Sequence, residues 1–166
     1  HVEEDDDDDD GSVNVGLDGI NAESLAQTDG QCVSYAAGRM GFYDLMNLLN
    51  IGAGDEVILL GSTCSVMCTS VLRRGAIPIY SDIDPRTFGS CPDSIVSCIS
   101  DRTKMIVAQH SFGIPCDIER IQAIADERNI FLLEDCALTL GMRFLLRPVK
   151  VQIMKAGNHI EDFNRG

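Results

Sequence analysis

The stretch TKMIVAQHSFGIPCDIERIQAIADERNIFLLED, residues 103–135, decides the fold. It begins with TKMIVAQ and ends with IFLLED, and these apolar runs predict two strands that are buried on both faces. Between them Asp117 is placed to cap a helix, and Ile118, Ile121 and Ile124 share one helical face. A strand, a helix and a second strand of this kind predict a parallel βαβ unit.

The residues before this unit repeat the alternation of helices and strands. Periodicity and turn residues predict first a helix in GRMGFYDLMNLLN (38–50) and then a turn and strand in GAGDEVILLG (52–61). The next helix is predicted in STCSVMCTSVLRRG (62–75), with a Ser or Thr N-cap and a closing Gly75. A strand in AIPIYSDID (76–84) and a helix begun by Pro92 in CPDSIVSCIS (91–100) follow. The predicted fold class is therefore α/β, a three-layer sandwich in which a mostly parallel sheet carries helices on both faces.

The hydrophobic core is expected to follow the strands and the inward faces of the helices. The predicted core residues are Leu45, Leu49, Val57, Ile58, Leu59, Val71, Ile77, Ile79, Ile106, Val107, Ile121, Ile124, Phe131 and Leu132.

Three segments should meet where the parallel strands end. In such sheets ligands bind at the carboxyl ends of the strands. The loop after Leu60, the loop around His110 and the pair Glu134–Asp135 are therefore expected at one edge. His110 suits either a base or a structural histidine, and Asp135 suits either a ligand contact or an ordinary loop residue or helix cap.

A second candidate feature is the small-residue segment YAAGRMG, which opens the first helix. Backbone N–H groups of Gly38 and Arg39, with the Arg39 guanidinium, suit a phosphate at the positive end of that helix. Small residues at a helix start more often serve tight packing. The sequence contains neither GxGxxG nor GxxxxGKS, so dinucleotide and nucleoside-triphosphate motifs are not indicated.

Composition excludes several classes of function. Of the formal charge of −13, the run EEDDDDDD at residues 3–10 supplies eight carboxylates, which leaves −5 for the rest. Such a run predicts a solvated, disordered tail, and without a basic footprint no nucleic-acid partner is expected. Seven cysteines without a CxxC pair predict reduced, mostly buried thiols in a cytoplasmic protein, with no zinc site and no disulfide framework. No apolar stretch approaches the ~18 residues of a transmembrane helix, so no membrane partner is expected.

Several stretches in series resemble one family. GRMGFYDLMNLLNIGAGDEVILL, AIPIYSDIDPRTF and SDRTKMIVAQHSFGIPCDIERIQAIADERNIFLLEDCALTLG are together similar to the large domain of DegT/DnrJ/EryC1/StrS sugar-nucleotide aminotransferases. Members of this family are pyridoxal 5'-phosphate enzymes of the aspartate-aminotransferase fold. The resemblance covers about residues 32–141, and its specificity comes from the order and spacing of IGAGDEV, AIPIYSDIDP, HSFGIPCD and LEDCA.

The resemblance implies a cofactor-binding role for four residues. Gly38 and Arg39 fall on a Gly-Thr pair that holds the cofactor phosphate, and a guanidinium in place of a hydroxyl still suits an anion. Asp135 falls on the aspartate that pairs with the pyridine nitrogen. Cys64 stands where the family commonly has an aromatic ring stacked on the cofactor, and Leu138 stands where many members have a glutamine or histidine near its phenolic oxygen.

The catalytic lysine that the family uses for its Schiff base is not identified in this sequence. In the family it follows a serine by four or five residues, well downstream of the Asp135 position. After Gly141 the sequence no longer resembles the family, and neither Lys150 nor Lys155 follows such a serine. The predicted organisation is an acidic tail and lead-in at residues 1–31, a partial large domain at 32–142 and an unassigned C-terminal tail at 143–166, in which PVKVQIM could add a strand.

Three functional hypotheses follow. The first is a truncated aminotransferase that acts on an amino-acid donor and a keto-sugar nucleotide, as a cytoplasmic homodimer whose site lies at the dimer interface. The second is a non-catalytic remnant of the same fold, which serves in binding or assembly. The third is a small α/β signalling domain that holds a metal ion between Glu134–Asp135 and Asp82 or Asp84.

Overall fold

Helices and strands alternate along the chain, as the sequence predicts. The computed structural model describes residues 35–139 and the backbone of 143–144, 147–148 and 153–154. The elements are α1 (Gly38–Leu48), β1 (Glu56–Leu60), α2 (Ser65–Arg73), β2 (Ile77–Ser81), α3 (Pro92–Cys98), β3 (Thr103–Gln109), a 3-10 turn (Ser111–Gly113), α4 (Ile118–Arg128), β4 (Phe131–Asp135), β5 (Arg143–Phe144), β6 (Arg147–Pro148) and β7 (Ile153–Met154). The predicted acidic tail and lead-in, Lys150 and Lys155 lie outside the described residues.

The main sheet has the strand order β2–β1–β3–β4–β7. The first four strands are parallel, and β7 joins β4 in the antiparallel direction. The mostly parallel sheet is thereby confirmed. The chain leaves β1 in one direction and β3 in the other, so the carboxyl ends of these two neighbouring strands form a topological switch point.

Both faces of the sheet are buried, which confirms the three-layer prediction. On one face α1 and α2 supply Phe42, Met46, Met67 and Val71 to a cluster that also contains Val57, Leu59, Met105, Val107 and Leu133. On the other face α3 and α4 supply Ile95, Ile121 and Ala125 to a cluster that also contains Ile58, Ile106, Ala108 and Leu132. These are called the α1–α2 face and the α3–α4 face below.

The prediction that Ile77 belongs to the core is wrong. Ile77 is 40% exposed, because β2 proves to be an edge strand of the sheet. Five other members of the predicted core are only partly buried and pack against the two clusters: Leu45, Leu49, Ile79, Ile124 and Phe131.

Helix ends follow the predicted chemistry at three positions and depart from it at a fourth. The helix α3 begins at Pro92, as predicted. The Asp117 side chain caps α4 by accepting from the backbone N–H of Arg120 at 3.3 Å. Gly75 closes the turn after α2 with a φ of +74°, which favours glycine. The predicted Ser or Thr cap of α2 is wrong, since Cys64 occupies the N-cap and makes no side-chain capping bond.

The six cysteines within the described residues are free thiols, but fewer of them are buried than the sequence suggests. Among the described residues only Cys116 and Cys136 are buried, whereas Cys64 is exposed. Cys68, Cys91 and Cys98 are partly exposed, and Cys68 and Cys98 pack against the borders of the two core clusters. In the described part of the chain, no helix is long and apolar enough to cross a membrane.

Candidate functional site at the carboxyl edge of the sheet

Strand alternation separates the two adjacent carboxylates at the end of β4. Successive side chains of a strand point to opposite faces of the sheet. Leu133 belongs to the α1–α2 cluster, so Asp135, two residues on, points to the same face. Leu132 belongs to the α3–α4 cluster, so Glu134 points there. The two neighbours therefore occupy different surroundings.

Glu134 is bound within a closed cluster. Its carboxylate Oε1 lies 2.7 Å from Nε2 of His110, and both residues are buried. The backbone N–H of Cys116 donates to His110 Nδ1 at 3.1 Å, which fixes Nδ1 as an acceptor and makes Nε2–H the donor to Glu134. Both ring nitrogens of His110 are thus engaged. The structural interpretation of His110 is favoured over its use as a base.

Two thiols complete this cluster. Burial, reinforced by the nearby charge of Glu134, raises the pKa of the Cys116 thiol to about 12 and that of Cys136 to about 12. Ligand atoms of His110, Glu134 and Cys136 lie within 4.8 Å of one another, as metal ligands would. A metal ion would have to displace the His110–Glu134 hydrogen bond and deprotonate a thiol, so the arrangement is that of a hydrogen-bonded core cluster.

Asp135 is half-buried and retains capacity to bind a ligand. Its Oδ2 accepts from Nε2 of Gln109 at 2.8 Å, and its Oδ1 accepts from the backbone N–H of Ala137 at 3.0 Å. An ionised carboxylate offers about four acceptor positions, so two remain after these bonds. Sequence reasoning missed Gln109, although the parallel pairing of the two strands sets it directly beside Asp135 on the same face.

The start of α1 fits an anion. Ala37, the N-cap, makes no side-chain bond to the helix, and the first turn contains no acidic residue. Gly38 and Arg39 are exposed, and a Cβ at Gly38 would meet no atom within 4 Å. The first backbone N–H groups of a helix have no partner within the helix, so these groups and the guanidinium are open to a phosphate. Arg39 is anchored through its carbonyl, which accepts from Ser70 Oγ of α2 at 3.4 Å.

Cys64 stands at the exposed start of α2, in the loop that follows β1. It shares the carboxyl edge and the α1–α2 face with Asp135. The hydrogen bonds of Asp135 run to Gln109 and Ala137, not to Arg39 or Cys64. The four predicted cofactor residues therefore lie at the carboxyl edge of the sheet on the α1–α2 face, and Asp135 makes no hydrogen bond to the other three among the described residues.

Two buried polar atoms flank the switch point between β1 and β3. Thr63 Oγ1 follows β1 and Gln109 Oε1 lies at the end of β3, and neither has a hydrogen-bond partner among the described residues. Buried polar atoms are nearly always satisfied by protein, water or ligand. Gln109 also binds Asp135 through its Nε2, so one of these unpartnered atoms lies beside the candidate site.

The opposite edge of the sheet, where the parallel strands begin, carries a separate concavity. A concavity of about 370 Å³ there is lined by Ser100, Asp101, Lys104 and Arg128, among others. Lys104 is exposed near the start of β3, so it lies at the far end of the sheet from Asp135. Within the described part of the chain it is the only lysine, and it cannot reach a ligand at the carboxyl edge.

The metal site of the third hypothesis does not assemble. Asp84 is engaged by Arg86, whose guanidinium binds both carboxylate oxygens at 3.1 and 2.8 Å. Asp82 and Asp84 follow β2, which is separated from β4 by two strands. Among the described residues, the cluster whose ligand atoms lie close enough to share an ion contains His110, Glu134 and Cys136, and neither of these aspartates.

Comparison with known proteins places this geometry in context. The sequence profile described as the DegT/DnrJ/EryC1/StrS aminotransferase family matches residues 24–149. An L-glutamine:2-deoxy-scyllo-inosose aminotransferase of Streptomyces kanamyceticus is 36% identical over 113 residues, which are 68% of this chain and 26% of that protein. A UDP-2-acetamido-2-deoxy-3-oxo-D-glucuronate aminotransferase of Pseudomonas aeruginosa is 36% identical over 113 residues, 68% of this chain and 32% of that protein.

Solved structures agree with the sequence comparison. The crystal structure of NtdA from Bacillus subtilis, with bound cofactor PMP, superposes with a TM-score of 0.61 and 33% identity, over 65% of this chain and 25% of that one. The chain thus spans about a quarter to a third of the length of the proteins it matches.

Proposed function

Because the chain belongs to the DegT/DnrJ/EryC1/StrS aminotransferase family, whose members depend on pyridoxal 5'-phosphate, we propose that it supplies part of the cofactor site of a sugar aminotransferase. The reaction would move an amino group from an amino-acid donor to a keto-sugar nucleotide. One observation carries the proposal: Asp135 is held at the carboxyl edge, beside the switch point, on the face that also carries the open start of α1.

The described residues fit two groups of the cofactor, its phosphate and its pyridine nitrogen. The N–H groups of Gly38 and Arg39, with the Arg39 guanidinium, would bind the phosphate. The free acceptor positions of Asp135 would bind the pyridine nitrogen, and Cys64 would lie against one face of the ring. When bound, pyridoxal 5'-phosphate supplies an electron sink for the carbon that loses a proton during amino transfer.

Asp135 would act by holding a proton on the pyridine nitrogen. A charge-assisted hydrogen bond from the protonated nitrogen to a carboxylate is worth about 1.5–3 kcal/mol. Gln109 and Ala137 bind Asp135 from neutral groups, so they orient the carboxylate without cancelling its charge. The charge is thereby available for the nitrogen.

Cys64 and Leu138 would make fewer contacts with the cofactor than the residues that the family commonly has at these positions. The exposed Cys64 offers less contact area than an aromatic ring, and Leu138, which is 64% exposed, cannot donate or accept a hydrogen bond. Both changes reduce affinity for the cofactor without affecting the sheet. Residues 35–139 would therefore bind the cofactor through the phosphate and the pyridine nitrogen.

We also propose a cytoplasmic homodimer, in which the site lies at the interface between two copies. Apolar side chains at the carboxyl edge support this. Phe112 is 79% exposed and packs edge-on against Phe88 at a ring-centroid distance of 6.2 Å. Exposed apolar groups near a site favour a partner surface. Sedimentation of wild type and Phe112→Asp checks this, and a monomeric wild-type chain would contradict it.

A second candidate function is cofactor binding without catalysis. The position of Lys104, at the far edge, favours it, because the described part of the chain offers no amine to the cofactor. Reversible binding that leaves every lysine unmodified after borohydride reduction would support this candidate. A reduced adduct on Lys150 or Lys155 would instead support catalysis by this chain.

Titration with pyridoxamine 5'-phosphate tests the proposed site. Asp135→Asn should weaken binding about 10- to 100-fold, which corresponds to the loss of a charge-assisted bond. Asp126→Asn is a matched control, because Asp126 also accepts from a glutamine amide, that of Gln122 at 2.8 Å, but on the solvent-exposed side of α4. Equal affinity of wild type and Asp135→Asn would overturn the proposal.

A further inference from the structure

Gln109 is fixed in place before its side chain reaches Asp135. Its backbone N–H donates to Ser90 Oγ at 3.1 Å, and its carbonyl accepts from the Ser90 N–H at 3.4 Å. The preceding Gly89 passes so close that a Cβ there would lie 2.7 Å from the Gln109 carbonyl oxygen. The loop after β2 therefore clamps the end of β3, and any larger residue at Gly89 would displace it.

The side chain of Gln109 then fixes the orientation of Asp135. A carboxylate only accepts hydrogen bonds, so the amide nitrogen must be the group that faces Oδ2, at 2.8 Å. The N–H of Ala137 holds the other oxygen, Oδ1, at 3.0 Å. With one donor on each oxygen, rotation of the carboxylate about its terminal bond is restrained.

The chemistry of the donor also matters. An arginine or lysine at position 109 would hold Asp135 equally well but would neutralise it, and a neutralised carboxylate would bind a pyridinium weakly. A glutamine amide orients the group and leaves its negative charge intact. The other amide atom, Oε1, is buried and has no hydrogen-bond partner within the described residues. The bond from Nε2 to Asp135 is therefore the one hydrogen bond that the Gln109 side chain makes to them.

We propose that Gln109 is a positioning residue, which aims the Asp135 carboxylate at the pyridine nitrogen of pyridoxal 5'-phosphate. The inference rests on the proposed function of the site, and it extends that function to a residue which touches Asp135 rather than the cofactor. The Gly89–Ser90 loop, Gln109 and Asp135 form one continuous path from β2 across the edge to β4.

A double-mutant cycle with pyridoxamine 5'-phosphate as the probe tests this role. Gln109→Met keeps the length of the side chain and removes the donor, and it should weaken binding about 10-fold. In an Asp135→Asn background the same substitution should change affinity less than about 2-fold, because the carboxylate it serves is gone. A merely structural role would weaken binding equally in both backgrounds, and that result would overturn the proposal.

A matched control is present in the chain. Gln122 also donates its Nε2 to a carboxylate at 2.8 Å, that of Asp126, and its Oε1 is also buried without a partner among the described residues. Gln122→Met should leave affinity for pyridoxamine 5'-phosphate unchanged. A loss equal to that of Gln109→Met would show a general effect of removing an amide and would overturn the inference.

A measurement without cofactor separates the two proposals. In the free chain, the side-chain NH₂ resonances of Gln109 should shift on Asp135→Asn, and those of Gln122 should not. Unshifted Gln109 resonances would overturn the positioning role alone. Failure of the wild-type chain to bind pyridoxamine 5'-phosphate would overturn the proposed function, and the positioning role with it. Wild-type binding that Gln109→Met leaves intact would overturn only the positioning role.

Discussion

Glu134 and Asp135 are adjacent carboxylates with different surroundings. Glu134 faces α3 and α4, where His110 binds it at 2.7 Å and where Cys116 and Cys136 are buried beside it. Asp135 faces α1 and α2, is half-buried, and is held by two neutral donors. One carboxylate completes a core cluster, and the other keeps open acceptor positions.

Position along the strand, rather than residue type, distinguishes the enclosed Glu134 from the open Asp135. A shift of one residue in β4 would exchange the two faces, so that Glu134 instead of Asp135 would point to the α1–α2 face.

Removal of His110 should affect stability more than any change at Asp135. His110→Ala leaves the Glu134 carboxylate and the Cys116 N–H buried without partners, and it should lower the free energy of unfolding by about 3–5 kcal/mol. Urea denaturation measures this. Asp135→Asn is the comparison, and we expect it to cost no more than about 1 kcal/mol. Equal losses would show that both carboxylates are structural.

Thiol reactivity should report the same contrast. Burial raises the pKa of Cys116 and Cys136 to about 12, so few thiolates form there at pH 8. We expect iodoacetamide to modify the exposed Cys64 at least ~100-fold faster than either of them in the folded protein. Peptide mass spectrometry resolves the sites. Comparable rates for Cys64 and Cys136 would contradict the closed state of the Glu134 cluster.

Glu56 extends the comparison to the opposite edge of the sheet. It is buried, and hydrogen bonds from Ser100 and Arg102 lower its pKa from the ordinary 4.5. Because the pKa is lower in the folded state, this carboxylate contributes stability above pH 4.5, and the contribution is lost as the pH falls through the folded value.

The free energy of unfolding should therefore decrease less between pH 6 and pH 3 in Glu56→Gln than in wild type. Asp101→Asn, an exposed residue of the same edge, is the control and should follow the wild-type curve. If the free energy of unfolding of Glu56→Gln changed with pH in parallel to that of wild type, the ion pair between Glu56 and Arg102 would contribute nothing to the pH dependence.

The smallest effect is expected at Leu138. Its side chain is 64% exposed, so Leu138→Gln should change the free energy of unfolding by less than about 0.5 kcal/mol. Urea denaturation checks this as well. A loss above 1 kcal/mol would place Leu138 in a packed interface rather than at an open edge.

Much of the fold could be predicted from local sequence. The apolar runs of β3 and β4 and the cap at Asp117 are local signals, and all three are confirmed. Strand order is not encoded locally, so the exposure of Ile77 on an edge strand was missed. The absent side-chain cap at Cys64 was missed because Ser and Thr residues precede it in the same loop.

The candidate site was predictable only in part. Family resemblance assigned Asp135, but the residue that orients it, Gln109, becomes visible only once strands β3 and β4 are paired in register. His110 was ambiguous because its partners, Glu134 and the Cys116 N–H, come from separate segments. Roles that depend on two strands need the pairing, which sequence periodicity does not provide.

We propose that pyridoxal 5'-phosphate binds at the Asp135 side of the carboxyl edge. The most direct test is to map amide chemical-shift changes in the ¹⁵N-labelled chain as pyridoxamine 5'-phosphate is added. We predict the largest shifts at Gly38, Arg39 and Asp135, with little change at Ser100 and Lys104 on the opposite edge. Shifts concentrated at Ser100 and Lys104, or no shifts at saturating ligand, would contradict the claim.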